Sequence, residues 1–504
     1  MADHQKLRAS DIGAGLPRSD DAPREHTARL TRYVRPGLSI GLLLLVTCVI
    51  GLLSSQTTQT AGIWAVALVL VLIFLSVPIA LALAVPSLLA VYVISGTTAL
   101  QNLLSTSPFN TAASWTYSVI PAFIFMGMLM VESGLTTKLF SASAKWFGWL
   151  PGGVGVGTTA AGAGLASVSG STIGMTYALA RAAIPELLRA GFNRKMAVGV
   201  VVVAGIPGSV IPPSILLVVY AGIATVPVGQ QLAAGILPGV LIAVTFGLSI
   251  IIASLVRPGL ANRGVEAEGQ SRAAWGERFR SLLPIWGFPL VMIVLFGGLF
   301  SGAFTPTEAG AAAAITALLV TVAMNLDRSA LGRIVTAAQK TVSATASIFF
   351  LIIGAELLMR LLSISGLSEM VVDFIVSLNL SRTWLLLLLV VAYLIMGMFF
   401  DTLPMMLLTV PVLLPVLVEM EINLLWFGVF MVIMGEIAMV TPPVGILAFI
   451  IHGIAKNPSV NLGQRISLMD VFIAVAWFLP VAIGFVVFLI FMPEVVEWLP
   501  RMIG

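Results

Sequence analysis

Residues 208–217 read GSVIPPSILL, placing two adjacent prolines, Pro212 and Pro213, inside an apolar run otherwise long enough to cross a bilayer. Proline brings no amide hydrogen, clashes with the preceding turn, and drives the residue before it out of helical geometry, so the pair breaks a helix here. Backbone groups freed by a break find no water in lipid. Such a break survives only where it is buried in protein or lines a cavity. The stretch therefore predicts a broken membrane helix that contributes to a binding site.

Composition supplies the bilayer. Of 504 residues, 59% are hydrophobic and 10% charged, and mean hydropathy is +1.07, which excludes a water-soluble globule and predicts an all-α polytopic membrane protein. Apolar stretches from 37–55 to 470–492 number roughly eleven to thirteen, each long enough to span the membrane or to enter it and turn back. The single cysteine, Cys48, falls in the first of them, so no disulfide framework is expected. The net charge of +4 is explained by membrane topology and calls for no nucleic-acid partner.

Residues 1–36 carry seven basic and five acidic side chains, too long and mixed a leader for an ordinary secretory signal. They are read as a polar cytoplasmic tail ahead of an additional N-terminal transmembrane helix, 37–60. Arg29, Arg32 and Arg35 precede that helix, and Arg257, Arg263, Arg272, Arg278 and Arg280 crowd the long polar loop 257–283. The positive-inside rule puts both in the cytoplasm.

The loop divides the chain into two related halves, 62–256 and 284–504. Residues 171–215 lie over 401–445 at a constant offset of 230, matching Thr172 with Thr402, Pro185 with Pro415, Asn193 with Asn423, Gly205 with Gly435, and Pro212–Pro213 with Pro442–Pro443. Upstream, Ser133-Gly134-Leu135 recurs as Ser365-Gly366-Leu367. The opening stretch thus has a twin in AMVTPPVGIL, 438–447. Broken segments at corresponding places in two halves are the mark of internally repeated transporters, whose unwound carbonyls and half-helix ends meet around one cavity.

About forty residues before each proline pair comes a second interruption: GLASVSGSTIGMT at 164–176 and GMFFDTLPMM at 397–406. Asp401 stands alone in apolar surroundings, where an ionised group normally faces a cavity, an ion or a partner; its bland alternative is a helix N-cap. Carboxylate, hydroxyl and carbonyl oxygens suit a small alkali cation. Glu132, Glu356 with Arg360 at i+4, and Glu436 are weaker signals, the Glu356–Arg360 pair being readable as a contact along one helix face. Thr305-Pro306-Thr307-Glu308 has the spacing of a capping box, and Trp146, Trp149, Trp384 and Trp498 read as interfacial anchors. His452 is the sole membrane-embedded histidine, and no Ser–His arrangement with nucleophile spacing appears, so an intramembrane hydrolase is disfavoured.

GSTIGMTYALARAAIPELLRAGFNRKMAVGVVVVAGIPGSVIPPSI, FTPTEAGAAAAITALLV, GMFFDTLPMMLLTVPVLLP and MGEIAMVTPPVGI, in that order, resemble the large membrane subunit of tripartite ATP-independent periplasmic (TRAP) transporters, from about residue 62 to about 492. The resemblance implies an elevator-type secondary transporter with two inverted repeats, each holding an unwound helix and a re-entrant hairpin, near 152–188 and near 383–418. It implies uptake of a small organic acid with sodium as coupling ion and no other cofactor. It also implies a small four-helix membrane subunit and a periplasmic substrate-binding protein as partners, in the bacterial inner membrane. Hairpin tips then fall at Ser169–Thr172 and Gly397–Thr402, and unwound turns at Gly205–Ser214 and Gly435–Gly445. Ion binding is assigned to Ser169, Ser171, Thr172, Gly205, Gly397, Asp401, Thr402, Gly435 and Thr441. Substrate binding is assigned to Gly170, Pro212, Pro213, Ser214, Pro442, Pro443 and Val444. The additional N-terminal helix departs from the usual large subunit, as do Met175, Thr176 and Tyr177 where relatives run through small residues. A stand-alone sodium- or proton-coupled carboxylate carrier with similar repeats is the alternative.

Overall fold

The computed structural model describes residues 39–169, 172–257, 259–260, 274–325 and 329–503, and every regular element among them is helical. Seven described helices are long and apolar enough to cross a bilayer, and ten spans result if each bent pair counts as one. The sequence count is higher because it also takes in apolar helices too short for that length, among them Ser39–Leu53, Thr58–Phe74 and Leu424–Val440.

The first helix, Ser39–Leu53, is followed by Thr58–Phe74. Thr57 caps the second of these in a box with Thr60, which interrupts the segment expected to run as one helix over 37–60. A Cβ on Gly51 would lie 2.4 Å from the Trp64 ring, so the absence of a side chain there lets the two helices touch. In the loop 257–283, the end folds as a helix, Trp275–Leu282, because Trp275, Phe279 and Leu282 recur at helical spacing and form an apolar stripe.

The repeat seen in the sequence is a repeat of structure. Each half carries a surface arm helix, Leu135–Phe147 or Leu367–Ser377, entered through a left-handed glycine, Gly134 at φ +80° and Gly366 at φ +72°. A hairpin follows in each half, Gly153–Ser169 with Thr172–Arg189, and Arg382–Gly397 with Thr402–Glu419. Matched asparagines then start the broken helices, Asn193 accepting from the Lys195 amide and Asn423 from those of Leu425 and Trp426. Both proline pairs contain a cis peptide bond.

Two long helices show that the halves are inverted. Val228–Val256 has 29 residues and Leu468–Phe491 has 24, about 43 and 36 Å at the α-helical rise, so each has ends at opposite faces of the membrane. At one face Gln231 Nε2 donates to the Leu425 carbonyl (3.2 Å) and Trp426 Nε1 to that of Leu489 (3.2 Å), which anchors the base of the second hairpin. At the other, the Asn193 amide donates to the Leu260 carbonyl (2.9 Å) and Arg194 approaches Asp470 at 3.4 Å, anchoring the base of the first. The hairpins therefore enter from opposite sides. The face at the base of the first hairpin is the more basic one, where Arg189, Arg194, Lys195, Arg257 and Arg465 outnumber Glu186 and Asp470, whereas at the other Glu419, Glu421, Glu494 and Glu497 outnumber Arg382 and Arg501.

Small residues let the first hairpin lie directly on its broken helix. A Cβ on Gly162 would come within 2.5 Å of the Ala204 carbonyl, and one on Gly208 within 2.5 Å of that of Ala163. The glycines in this run are thus used for backbone approach, as in close-packed membrane helices.

Candidate functional site

The first broken helix runs Arg194–Val203 and Ile206–Val210, then opens at 211–214 before Ile215–Ile223, with a bend of 47° across the pair. The second runs unbroken over Leu424–Val440 and opens at 441–445 before Ile446–Ala455. The unwound turns are therefore shorter than the sequence suggests, and Gly435 lies inside regular helix. The reason lies in its contacts: a Cβ on Gly435 would sit 2.3 Å from Thr402 Cγ2, and one on Gly205 would sit 2.9 Å from Thr172 Cγ2. Both glycines accommodate the threonine that starts the descending arm of the neighbouring hairpin.

Those two threonines bring the halves together. Thr172 Oγ1 and Ser209 Oγ are 2.7 Å apart, and Thr402 Oγ1 donates to Glu436 Oε1 at 3.3 Å. The Thr172 and Ser209 hydroxyls face the same carboxylate. Glu436 is only 1% exposed, and its Oε2 has no hydrogen-bond partner among the described residues. The buried Thr176 hydroxyl is also without one, and it lies beside Gly205, 3.6 Å from the position of a Cβ there. An ionised carboxylate held out of water costs several kcal/mol unless a countercharge and hydrogen bonds compensate it.

Asp401 is the N-cap of Thr402–Glu419, its side chain accepting from the Thr402 amide at 2.7 Å. It is also near enough for its charge to act on Glu436. The capping role and a place beside the cluster are thus compatible. Two carboxylates near one site attract a cation more strongly than either alone.

Other candidates stand differently. Gly170 and Ser171 lie outside the described residues, and Ser169 closes the ascending arm of the first hairpin. Gly397 ends the ascending arm of the second, where a Cβ would meet that of Ala438 at 2.1 Å. The Thr441 hydroxyl donates to the Ile437 carbonyl of its own helix at 2.8 Å. Pro212, Pro213 and Ser214 are buried, and Ser214 caps the following half-helix through the Leu217 amide. At the second break Pro443 is exposed, with Pro442 and Val444 half-buried. The two breaks are equivalent in sequence but differ in access.

Ser209 and Glu436 complete the cluster, and sequence reasoning undervalued both. Glu436 was detectable as the one charged residue in LLWFGVFMVIMGEIAMV. Ser209 had no such signal. Elsewhere the local readings agree with the structure: Thr305 and Glu308 form the capping box, and Arg360 pairs with Glu356 at 3.3 Å.

Residues 66–495 match the family described as the tripartite ATP-independent periplasmic transporter, DctM component. This chain belongs to that family. The C4-dicarboxylate TRAP transporter large permease protein DctM of Pseudomonas aeruginosa is 30% identical to this permease over 396 residues, covering 79% of this chain and 88% of the relative. The 2,3-diketo-L-gulonate large permease YiaN of Escherichia coli is 33% identical over 350 residues, covering 69% and 80%. Among solved structures, the YdaH transporter of Alcanivorax borkumensis superposes with a TM-score of 0.61 at 15% identity, over 81% of this permease and 91% of that chain. That likeness speaks to fold alone.

Proposed function

We propose that this permease imports a small organic acid across the bacterial inner membrane by sodium symport, receiving it from a periplasmic substrate-binding protein and working beside a small four-helix membrane subunit. The observation that carries the ion-coupled part is the meeting of two opposed hairpins on one buried, incompletely bonded carboxylate. The donors at hand, Glu436, Asp401, Thr172, Thr176, Thr402 and Ser209, are all oxygen and suit a small hard cation. A sodium ion carried there as co-substrate would supply the missing countercharge and draw the two threonine-bearing hairpin tips onto their broken helices. Substrate would then bind between the tips, near the two proline breaks.

The relatives' names support the substrate class. Besides C4-dicarboxylate and diketogulonate, they include a sialic acid permease of Vibrio cholerae and an ectoine permease of Halomonas elongata, all small solutes bearing a carboxylate. The isethionate permease protein DctMQ of Oleidesulfovibrio alaskensis, another relative, supports a close association of large and small membrane components. The basic face at the base of the first hairpin faces the cytoplasm by the positive-inside rule, and the same rule assigns the N-terminal tail to that side.

Transport is by alternating access, the hairpin-bearing part moving against the rest as an elevator. Coupling requires sodium to favour the substrate-competent state by about 1–3 kcal/mol, since equal affinity for both states shifts nothing. The test has two parts. A tagged copy purified from native membranes in mild detergent should bring down a small hydrophobic protein with about four spans in equal amount, and vesicles holding both should take up substrate only when binding protein and an inward sodium gradient are present. Uptake by the large chain alone would replace this reading with that of a stand-alone carrier. Uptake indifferent to sodium would remove the proposed coupling ion.

A further inference from the structure

On the basic face, away from the hairpin tips, the arm helix Leu135–Phe147 and the surface helix Trp275–Leu282 enclose a groove of about 430 Å³. Lys138, Ser141 and Lys145 line it from the arm, at i, i+3 and i+7 on one helix face. Glu277 and Arg280 line it from the other wall. Three cations thus oppose one carboxylate, and none of the four charged groups forms an ion pair among the described residues. Spending no cation on a protein partner leaves the groove a net attraction for anions.

The surroundings set its depth. Trp275, Phe279 and Leu283 are 67%, 59% and 67% exposed, forming an apolar face on the opposite side of the surface helix from the groove. The Trp146 ring meets Phe279 edge-on at 5.5 Å, and its Nε1 donates to the Arg278 carbonyl at 3.0 Å. A helix with an aromatic apolar face and a charged polar face lies in the membrane interface, with its polar side at headgroup level. The chain's own N-terminal tail is a poor occupant, because residues 1–36 carry seven basic side chains against five acidic ones.

We propose that this groove holds the headgroup of an anionic phospholipid, with Lys138, Lys145 and Arg280 around its phosphate and Ser141 as a hydroxyl donor. Basic recesses between helices on a cytoplasmic face are suited to such headgroups. The arm runs from the Gly134 elbow to the first hairpin and buries Leu135, Leu139 and Phe140, so a lipid clamped here braces the joint through which that hairpin is carried.

The test is lipid selectivity of the full chain in vesicles, read by electron paramagnetic resonance of spin-labelled phosphatidylglycerol against spin-labelled phosphatidylcholine. The wild type should immobilise the anionic label preferentially. Lys138→Gln with Lys145→Gln and Arg280→Gln should lower its retention to that of the phosphatidylcholine label, and Glu277→Gln should raise it. Lys138→Arg with Lys145→Arg should keep the preference, which separates lost charge from lost fold. Equal preference in the wild type and the triple variant would overturn the assignment. So would displacement of the label by inorganic phosphate but not by chloride at the same ionic strength, since that would make the groove a site for a free anion.

Discussion

Glu436→Gln keeps the size and the Oε1 acceptor of a side chain only 1% exposed, while removing its charge. A unit cation about 4 Å away attracts the carboxylate by about 4 kcal/mol at an effective dielectric of 20. Dehydration of the ion offsets part of that, leaving roughly 2–3 kcal/mol, a roughly 30- to 150-fold loss of sodium affinity in the variant. Thermal unfolding of the purified full chain in sodium chloride and in choline chloride at equal ionic strength reads this without partner or substrate. At a sodium concentration 100 times its dissociation constant, the wild type should gain about 2.7 kcal/mol; a variant weakened about 100-fold should gain only about 0.4 kcal/mol. In choline the variant should be the more stable protein, because an amide does not carry the desolvation cost of an uncompensated carboxylate. A sodium-dependent rise equal to that of the wild type would take Glu436 out of the ion site. Lower stability than the wild type in choline would show that protein dipoles already compensate the charge.

Asp401→Asn retains a good N-cap for the helix beginning at Thr402, so melting should change by less than about 0.5 kcal/mol while half-maximal uptake requires several-fold more sodium; unchanged sodium dependence would confine Asp401 to capping. Gly435→Ala places a methyl 2.3 Å from Thr402 Cγ2 and 2.9 Å from its Oγ1, costing about 1–3 kcal/mol of overpacking and abolishing uptake, whereas wild-type melting and transport would refute tight docking of the tip. Pro212→Ala with Pro213→Ala restores two amide donors and helix-compatible geometry at 211–214, so uptake should be lost at normal expression. Wild-type uptake would reduce the break to a packing feature.

Much of the architecture is local backbone chemistry, and local chemistry is legible along the chain. Pro212–Pro213 and Pro442–Pro443 break helices wherever those helices sit. Asn193, Asn423 and Thr305 cap because their side chains reach amides two or three residues on. The offset of 230 and the repeated Ser-Gly-Leu elbows announce two halves, and mean hydropathy announces the bilayer. Glycine was the ambiguous case: a gap in side chains reads the same whether it loosens a helix or admits a neighbour, and at Gly205 and Gly435 it admits Thr172 and Thr402.

The cluster itself belongs to long-range packing. Thr172 meets Ser209 across 37 positions and Thr402 meets Glu436 across 34, while Glu436 faces the Thr172 and Ser209 hydroxyls of the other half. Hydrophobic periodicity does not report which face of the helix Leu424–Val440, buried from Trp426 onward, turns toward that half, because apolar residues surround it in every direction and Glu436 alone breaks the pattern. The inversion of the halves was similarly hidden, since it follows from which ends of Val228–Val256 and Leu468–Phe491 the hairpin bases touch. Solvent access at the two breaks is a tertiary property too: matching proline pairs have the same backbone chemistry, yet one is covered by neighbouring helices and the other exposes Pro443.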